Sequence, residues 1–395
     1  MSKPRLLFLT SRLPYPLDKG DKLRAYHFIR RLSERFDILL FAINETAPEQ
    51  ESLDALTPWC KEIRVHVRPR LASVISSLKH RHLPFQVGWF YSAKAMKELL
   101  DFQGEHPSDL IFCHLIRMAE YARRLPHPQV LDYMDAFSKG VERMKSTGPI
   151  WMKPVLDIEQ KRLIRYERDV FDRFDDRLII SQQDRDHIKH PRSGEIKVVP
   201  NGVDTFYFRP EQTEKKYDLL FNGHLSYPPN IASAEFLALE IFPLIQKARP
   251  GTTLLIAGAD PVPAIKKLAG KGITIQGRVA DIRPAFYSSR IMVAPMLISI
   301  GLQNKILQAM AMKLPCVISE MANNALGASH GREVMVARSP EDYARQIIHL
   351  LNDTTYAGQI GEAGYDFVLN NYDWGRIISS LAGDMLDLLR YRHLQ

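Results

Sequence analysis

The sequence predicts an α/β chain built as two Rossmann-like domains, each on a parallel sheet. Three observations carry this prediction. Short apolar runs alternate with helical patterns along the chain. The runs fall into two sets joined by a link near Arg209 to Lys216. The length of 395 residues suggests two domains rather than one.

The first set of runs is Leu6 to Thr10, Ile38 to Ile43, Leu110 to Cys113, Val130 to Leu131, Leu178 to Ser181 and Lys197 to Pro200. The second is Leu219 to Asn222, Thr253 to Ala257, Ile273 to Gln276, Ile291 to Pro295 and Cys316 to Ser319. Helical patterns separate most of them, at Lys22 to Arg35, Lys94 to Phe102, Ile231 to Lys247 and Pro340 to Leu351. Continuous apolar strands bounded by turns indicate parallel sheets covered on both faces. Before the link, Asn201-Gly202 marks a turn that favours positive φ. A helical tail, Gly375 to Arg390, closes the pattern with Ile377, Ile378, Leu381, Met385, Leu388 and Leu389 on one face. The expected domains are 1–208 and 209–372, followed by a helix over 373–395.

The stretch Gly301 to Ser319 is the most informative. Leu302, Ile306 and Met310, with Leu307 and Ala311, recur at helical spacing. Lys313 sits in the last turn and Pro315 stops the helix before the next strand. The helix N-terminus therefore faces the carboxyl edge of a parallel sheet, just after Gly301, with Asn304 and Lys305 in its first turn. Free N–H groups and the positive dipole end make such a place a natural phosphate site.

Composition sets the outer bounds. The chain is 45% hydrophobic and 25% charged, an ordinary soluble balance. No run approaches the ~20 apolar residues of a membrane span. The apolar run Leu6 to Leu9 is too short for the core of a secretory signal. Cys60, Cys113 and Cys316 lack metal or redox spacing and read as free thiols in a reducing compartment, so the expected location is the cytoplasm.

The net charge of +8 admits three kinds of partner: nucleic acid, anionic lipid or phosphorylated small molecules. No nucleic-acid recognition motif is found, and that partner is not expected. Arg64, His66, Arg68 and Arg70, then Lys79, His80, Arg81 and His82, flank the segment Leu71 to Leu78. Apolar residues between cations fit a surface helix on the inner face of an anionic membrane. They also fit a solvated helix with a buried stripe.

Five segments together resemble a known family. They are Leu13 to Arg24, Val199 to Asp204, Asn222 to Asn230, Gly277 to Arg283 and Gly301 to Ser319. Over nearly its whole length the chain resembles GT-B glycosyltransferases of the retaining family 4. Within that family it is most similar to the sugar transferases found with exopolysaccharide and PEP-CTERM/exosortase gene clusters. The resemblance implies two facing Rossmann-like domains and a C-terminal helix that crosses back to the first. The first domain would hold the acceptor, a glycan or a lipid-linked sugar. The second would hold a nucleotide-diphosphate sugar, with no other cofactor. Three departures stand out. The family's usual basic pair after the second domain's first strand is missing, since the positions near His224 and Asn230 carry no Arg or Lys. The family carries two glutamates eight positions apart around the second domain's helix, and here those positions are Ile300 and Gln308.

Expected donor-site residues are Gly20, Asn222, Gly223, Arg278, Val279, Gly301, Leu302, Asn304, Lys305 and Gln308. Gly223 opens a loop after a strand, where backbone can approach a diphosphate. Arg278 follows another strand and Lys305 supplies a point charge. Gln308 retains hydrogen-bonding capacity for ribose hydroxyls. The plainer alternatives are a simple turn at Gly223 and solvated surface cations at Arg278 and Lys305. On the acceptor side, Asp18, Lys19, Asp21 and Arg24 crowd the first strand-helix loop. His114 directly follows a strand and is expected to serve as a polar contact or proton relay, or else as a satisfied structural histidine. Asp132 and Asp135 flank the next strand's end. Asp135 is placed in the catalytic set with His114 and Lys305, and helix capping is the other reading.

No Asp-x-Asp motif sits in a donor loop, so transfer without a metal is expected, with retention implied by the resemblance. Two rivals remain at this stage. One is a non-catalytic GT-B partner that binds a nucleotide sugar or glycan. The other is a nucleotide-sugar epimerase, for which no clear carboxylate pair is visible in the second domain.

Overall fold

The computed structural model describes residues 3–126, 128–147, 149–298 and 301–392. The chain divides into two compact units, residues 1–200 with 378–395, and residues 201–377.

The first unit holds seven strands: β1 (Arg5–Thr10), β2 (Asp37–Asn44), β3 (Glu62–Val67), β4 (Leu110–His114), β5 (Gln129–Asp132), β6 (Asp176–Ile179) and β7 (Lys197–Val198). They form one sheet in the order β3-β2-β1-β4-β5-β6-β7. Every recorded pairing is parallel. The second unit holds β8 (Tyr217–Asn222), β9 (Leu254–Ala257), β10 (Ile273–Gln276), β11 (Ser289–Ala294), β12 (Cys316–Ser319) and β13 (Met335–Ala337). Their order is β10-β9-β8-β11-β12-β13, again parallel throughout. The α/β class and its two parallel sheets are as expected from the alternating runs.

The apolar runs are continuous because both faces of each sheet are covered. Leu220, Leu255 and Met292 enter one core of the second unit, while their neighbours Leu219, Leu254 and Ile291 enter another on the opposite face. Burying such side chains stabilises by about 1.5–3 kcal/mol each. In the first unit Phe8 of β1 stacks on Phe112 of β4 at 4.8 Å, while Leu7 and Ile111 belong to the core on the other side.

Four elements differ from the sequence reading. β3 was expected to be part of a basic cluster. Its Glu62, Arg64 and His66 alternate with Ile63, Val65 and Val67, a pattern that suits its place at the sheet edge. β13 is only three residues long. The long helix Lys153–Phe171, with Leu163, Tyr166, Val170 and Phe171 buried on one face, is not among the expected helices. The helix expected from Ile231 to Lys247 runs from Pro228 to Ala248 and widens to a π-helical turn over Leu237–Ile241. Pro243 lacks the N–H that would bond the carbonyl four residues back, and the wider turn accommodates that loss.

Both sheets reverse their winding direction once, between β1 and β4 and between β8 and β11. In open α/β sheets ligands bind outside the carboxyl ends of the strands at such a point. In the second unit this is where Asn222-Gly223 leaves β8. In the first it is where Ser11 leaves β1 and Leu115 leaves β4.

Candidate functional site

In the second unit the loops after β8, β9 and β10 line a cavity of about 220 Å³. Asn222, Gly223, Arg278 and Val279 are among its lining residues, together with Gly258. The loops touch backbone to backbone. Gly258 has φ +154°, and a Cβ there would fall 1.7 Å from the carbonyl oxygen of Gly223. A Cβ on Gly223 would lie 2.8 Å from Asn230 Nδ2 and 3.0 Å from Lys305 Nζ. Only glycine fits at Gly258, which abuts backbone, and a side chain at Gly223 would have to displace Asn230 and Lys305.

Lys305 comes from the helix Asn304–Ala311, whose start has no side-chain cap. Its ammonium reaches beneath Gly223, donates to Asn230 Oδ1 at 2.6 Å and sits 4.7 Å from the centre of the Phe221 ring. It is 9% exposed. Burial pushes its pKa down to about 7, since no carboxylate offsets the lost hydration. Lys305 is therefore not a solvated helix-surface cation. Asn230 bridges the arrangement by donating through Nδ2 to the His224 carbonyl at 3.0 Å. Arg278, 70% exposed at its side chain, donates to Asp260 Oδ2 at 2.9 Å, and His224 Nε2 lies 3.2 Å from the same oxygen. Asn222 is buried, and its Oδ1 has no hydrogen-bond partner.

The structure thus brings Asn222, Gly223, Arg278 and Val279 together around one cavity, with Lys305 behind Gly223. Gly301, Leu302, Asn304 and Gln308 do not line it. Gly301 is exposed at φ +75°, Leu302 packs against the unit's core, and Asn304 and Gln308 are half-buried on their helix. Ile300 lies outside the described residues. Gly258, Asn230 and Asp260 were not read from the sequence. A glycine directly after a strand was the available signal for the first. The other two reveal their roles only through partners.

In the first unit, two expected site residues are buried and paired within the unit. Arg24, expected to meet the acceptor, is fully buried. Its Nε and Nη2 donate to the two carboxylate oxygens of Asp132 at 2.8 and 3.0 Å. His114, expected as a polar contact or relay, is also buried. Its Nδ1 is 3.0 Å from Asp132 Oδ2 and its Nε2 is 3.1 Å from the Asp21 carbonyl oxygen. Both placements have one cause: the Asp132 carboxylate, removed from water, needs partners. Burial pushes the Asp132 carboxyl up, but Arg24 and His114 outweigh it and hold that carboxyl well below the usual range. The cluster pins the helix Gly20–Leu32 to the ends of β4 and β5, and so positions the loop before it.

That loop carries the remaining residues. Asp18 pairs with Lys22 at 2.9 Å and Asp21 with Arg12 at 3.0 Å. Gly20 lies at the helix start, 3.5 Å from Met134 Cε as measured from an added Cβ. Lys19 lines a cavity of about 360 Å³ with Arg12, Lys22, Arg68 and Arg70. Asp135 is half-buried. Burial, with Asp184 nearby, raises its pKa. Arg117, missed in the sequence because it stands alone in an apolar run, lies between the Phe90 and Phe137 rings and donates to Gln86 Oε1 at 3.0 Å.

Glu167 is a further buried acid in this unit. It accepts the Ser138 N–H at 3.0 Å, yet its Oε2 has no partner, and burial pushes its pKa up to about 7. A raised carboxyl pKa makes the folded state bind more protons than the unfolded one, so stability falls as pH rises from 4.5 to 7. Glu167→Gln should remove up to about 3 kcal/mol of that slope. Urea unfolding at pH 5 and pH 8 checks it. Parallel wild-type and variant curves would refute the assignment.

Among the described residues, no helix is long and apolar enough to cross a membrane. Residues 216–353 match the family model described as Glycosyl transferases group 1. An uncharacterized 44.6 kDa protein in the cps region of Klebsiella pneumoniae is 21% identical over 403 residues, covering 95% of this chain and 98% of that protein. Anabaena HepE, solved in complex with UDP, superimposes with a TM-score of 0.68 at 15% identity, covering 97% of this chain and 100% of that one. Sucrose-phosphate synthase from Thermosynechococcus elongatus gives a TM-score of 0.68 at 14% identity, over 99% of both chains. Residues 216–353 carry the group 1 glycosyl transferase pattern, and the chain as a whole has the GT-B fold.

Proposed function

We propose that the chain is a glycosyltransferase that moves a sugar, of hexose type, from a nucleotide-diphosphate donor to a glycan or lipid-linked acceptor in polysaccharide synthesis. The observation that carries this reading is the buried Lys305 ammonium behind Gly223, at the winding reversal of a unit that matches the group 1 model. HepE has also been solved with UDP-glucose, and the Klebsiella relative lies in a cps region. Both support a uridine donor and a polysaccharide product. The reading retains the family 4 assignment, transfer with retention, no requirement for a metal, and a cytoplasmic chain at the inner face of the membrane.

Negative charge grows on the diphosphate as the sugar leaves. Lys305, the start of the helix Asn304–Ala311 and Arg278 are the groups available to offset it. The first unit would bind the acceptor beside Lys19, with Asp135 accepting the hydroxyl proton. A calorimetric screen of UDP, GDP, ADP and their sugar conjugates tests the donor assignment. Binding of one nucleotide is expected, with UDP first. No binding of any would favour a non-catalytic partner, the reading suggested by the neutral side chain at Gln308.

A further inference from the structure

The helix Arg70–Lys79 is turned inside out. Its buried residues are Ser73, Ser76 and Ser77. Leu71, Ile75 and Leu78, at helical spacing, are 73%, 58% and 59% exposed. The cause is the neighbouring helix Phe85–Phe90. It comes so close that a Cβ on Gly88 would lie 3.3 Å from Ser77 Cα. Only small side chains fit that interface, and the serines are satisfied there. Ser76 Oγ donates to the Tyr91 carbonyl at 2.7 Å and Ser77 Oγ to the Ser73 carbonyl at 2.9 Å. The helix therefore cannot roll its leucines inward, and the buried-stripe alternative does not hold.

The apolar face continues onto a second element. Phe85, half exposed, gives its N–H to Glu159 Oε2 at 2.8 Å. Glu159 belongs to the helix Lys153–Phe171, which starts just after Ile150 and Trp151, 80% and 78% exposed, and carries exposed Val155 and Ile158 in its first turns. The surrounding charge has one dominant sign. No acidic residue occurs between Glu62 and Glu98. Lys79, Arg81, Lys153 and Lys161 are exposed, while Asp157 is engaged by Lys145.

We infer that this face is a docking surface for an anionic lipid bilayer. Leucine and isoleucine side chains enter the headgroup boundary, Trp151 sits at its edge, and the flanking cations meet lipid phosphates. Charge complementarity favours this occupant: exposed Lys79, Arg81, Lys153 and Lys161 beside exposed apolar side chains fit a surface that is apolar below and anionic above. Arg68, Arg70 and Ser73 also border the first unit's cavity, so docking would hold that cavity at the membrane. The inference names the surface behind the inner-face location proposed above. Its test involves no donor or turnover, so its failure would leave the sugar-transfer reading standing.

The test is co-sedimentation of the full chain with vesicles of phosphatidylcholine alone, or with about one-third phosphatidylglycerol, at low and high salt. Binding to the anionic vesicles is expected, weakened by salt. Ile75→Ser with Leu78→Ser should reduce partitioning about tenfold or more at unchanged melting temperature. Trp151→Ala, on the other element, should reduce it independently. Absence of wild-type binding to anionic vesicles, or equal binding by the variants, overturns the inference. So does a lipid-free dimer, seen by light scattering, that the same substitutions split, because the face would then belong to a second copy.

Discussion

Lys305→Met is expected to cut turnover by about 10²–10³-fold, the scale seen when one preorganised charge partner is removed from a developing oxyanion. The fold should survive it. The ammonium is already costly where it stands, since burial drives its pKa down to about 7, and methionine fills a similar volume without charge. The melting temperature should therefore hold or rise. This separates a functional lysine from a structural one, whose loss would lower both. Donor affinity should fall as pH rises through and beyond 7, because the free lysine loses its proton there while the diphosphate binds the charged form better. That pH dependence should be absent in the variant. Wild-type turnover in Lys305→Met would remove the donor assignment.

Asp132→Asn should have the largest effect on stability. It leaves the Arg24 guanidinium, fully buried, without its carboxylate. Breaking such a pair costs about 3–5 kcal/mol. For a unit of this size that lowers the melting temperature by roughly 10 °C. The pH dependence has a definite sign. Asp132 is held below its ordinary value of 3.8, so its contribution is complete above that pH and drains away below it. The deficit of the variant should shrink in acid. Adding Arg24→Met should recover part of the loss, because an apolar pair of similar volume often replaces a buried ion pair at little cost. Denaturant unfolding of the single and double variants measures all three effects. Equal stability of Asp132→Asn and wild type would show the pair to be incidental.

The sheets were legible in the sequence because burial on both faces makes a strand an unbroken apolar run. β8, β9, β11 and β12 have that form and fall within two residues of the expected limits. β3 escaped because a strand at the edge alternates charge with apolar residues. The candidate site was legible where chemistry follows a strand end directly, as at Asn222-Gly223 and Arg278-Val279. It was not legible where the role depends on a distant partner. Arg24, inside the helix Gly20–Leu32, and His114, at the end of β4, both carry functional side chains, and nothing local distinguishes a ligand contact from an internal ion-pair partner. Asp132 pairs with both from 108 residues beyond Arg24, once the sheet order places β4 beside β1 and β5 beside β4. The same limit hid Asn230, whose use becomes visible only when Lys305 is brought to it from 75 residues away.

The division of the chain has a consequence for its synthesis. The first unit is completed by residues 378 onward, where Ile378, Leu381 and Met385 are buried and Asp384 pairs with Lys197 at 2.8 Å. A ribosome must first make the whole intervening unit, which takes about 10–35 s at ordinary elongation rates. During that time the nascent first unit exposes the apolar surface that the last helix will cover. The second unit is continuous and has no such wait. The order of assembly thus runs against the order of the chain, and the interval is one in which a chaperone has something to hold.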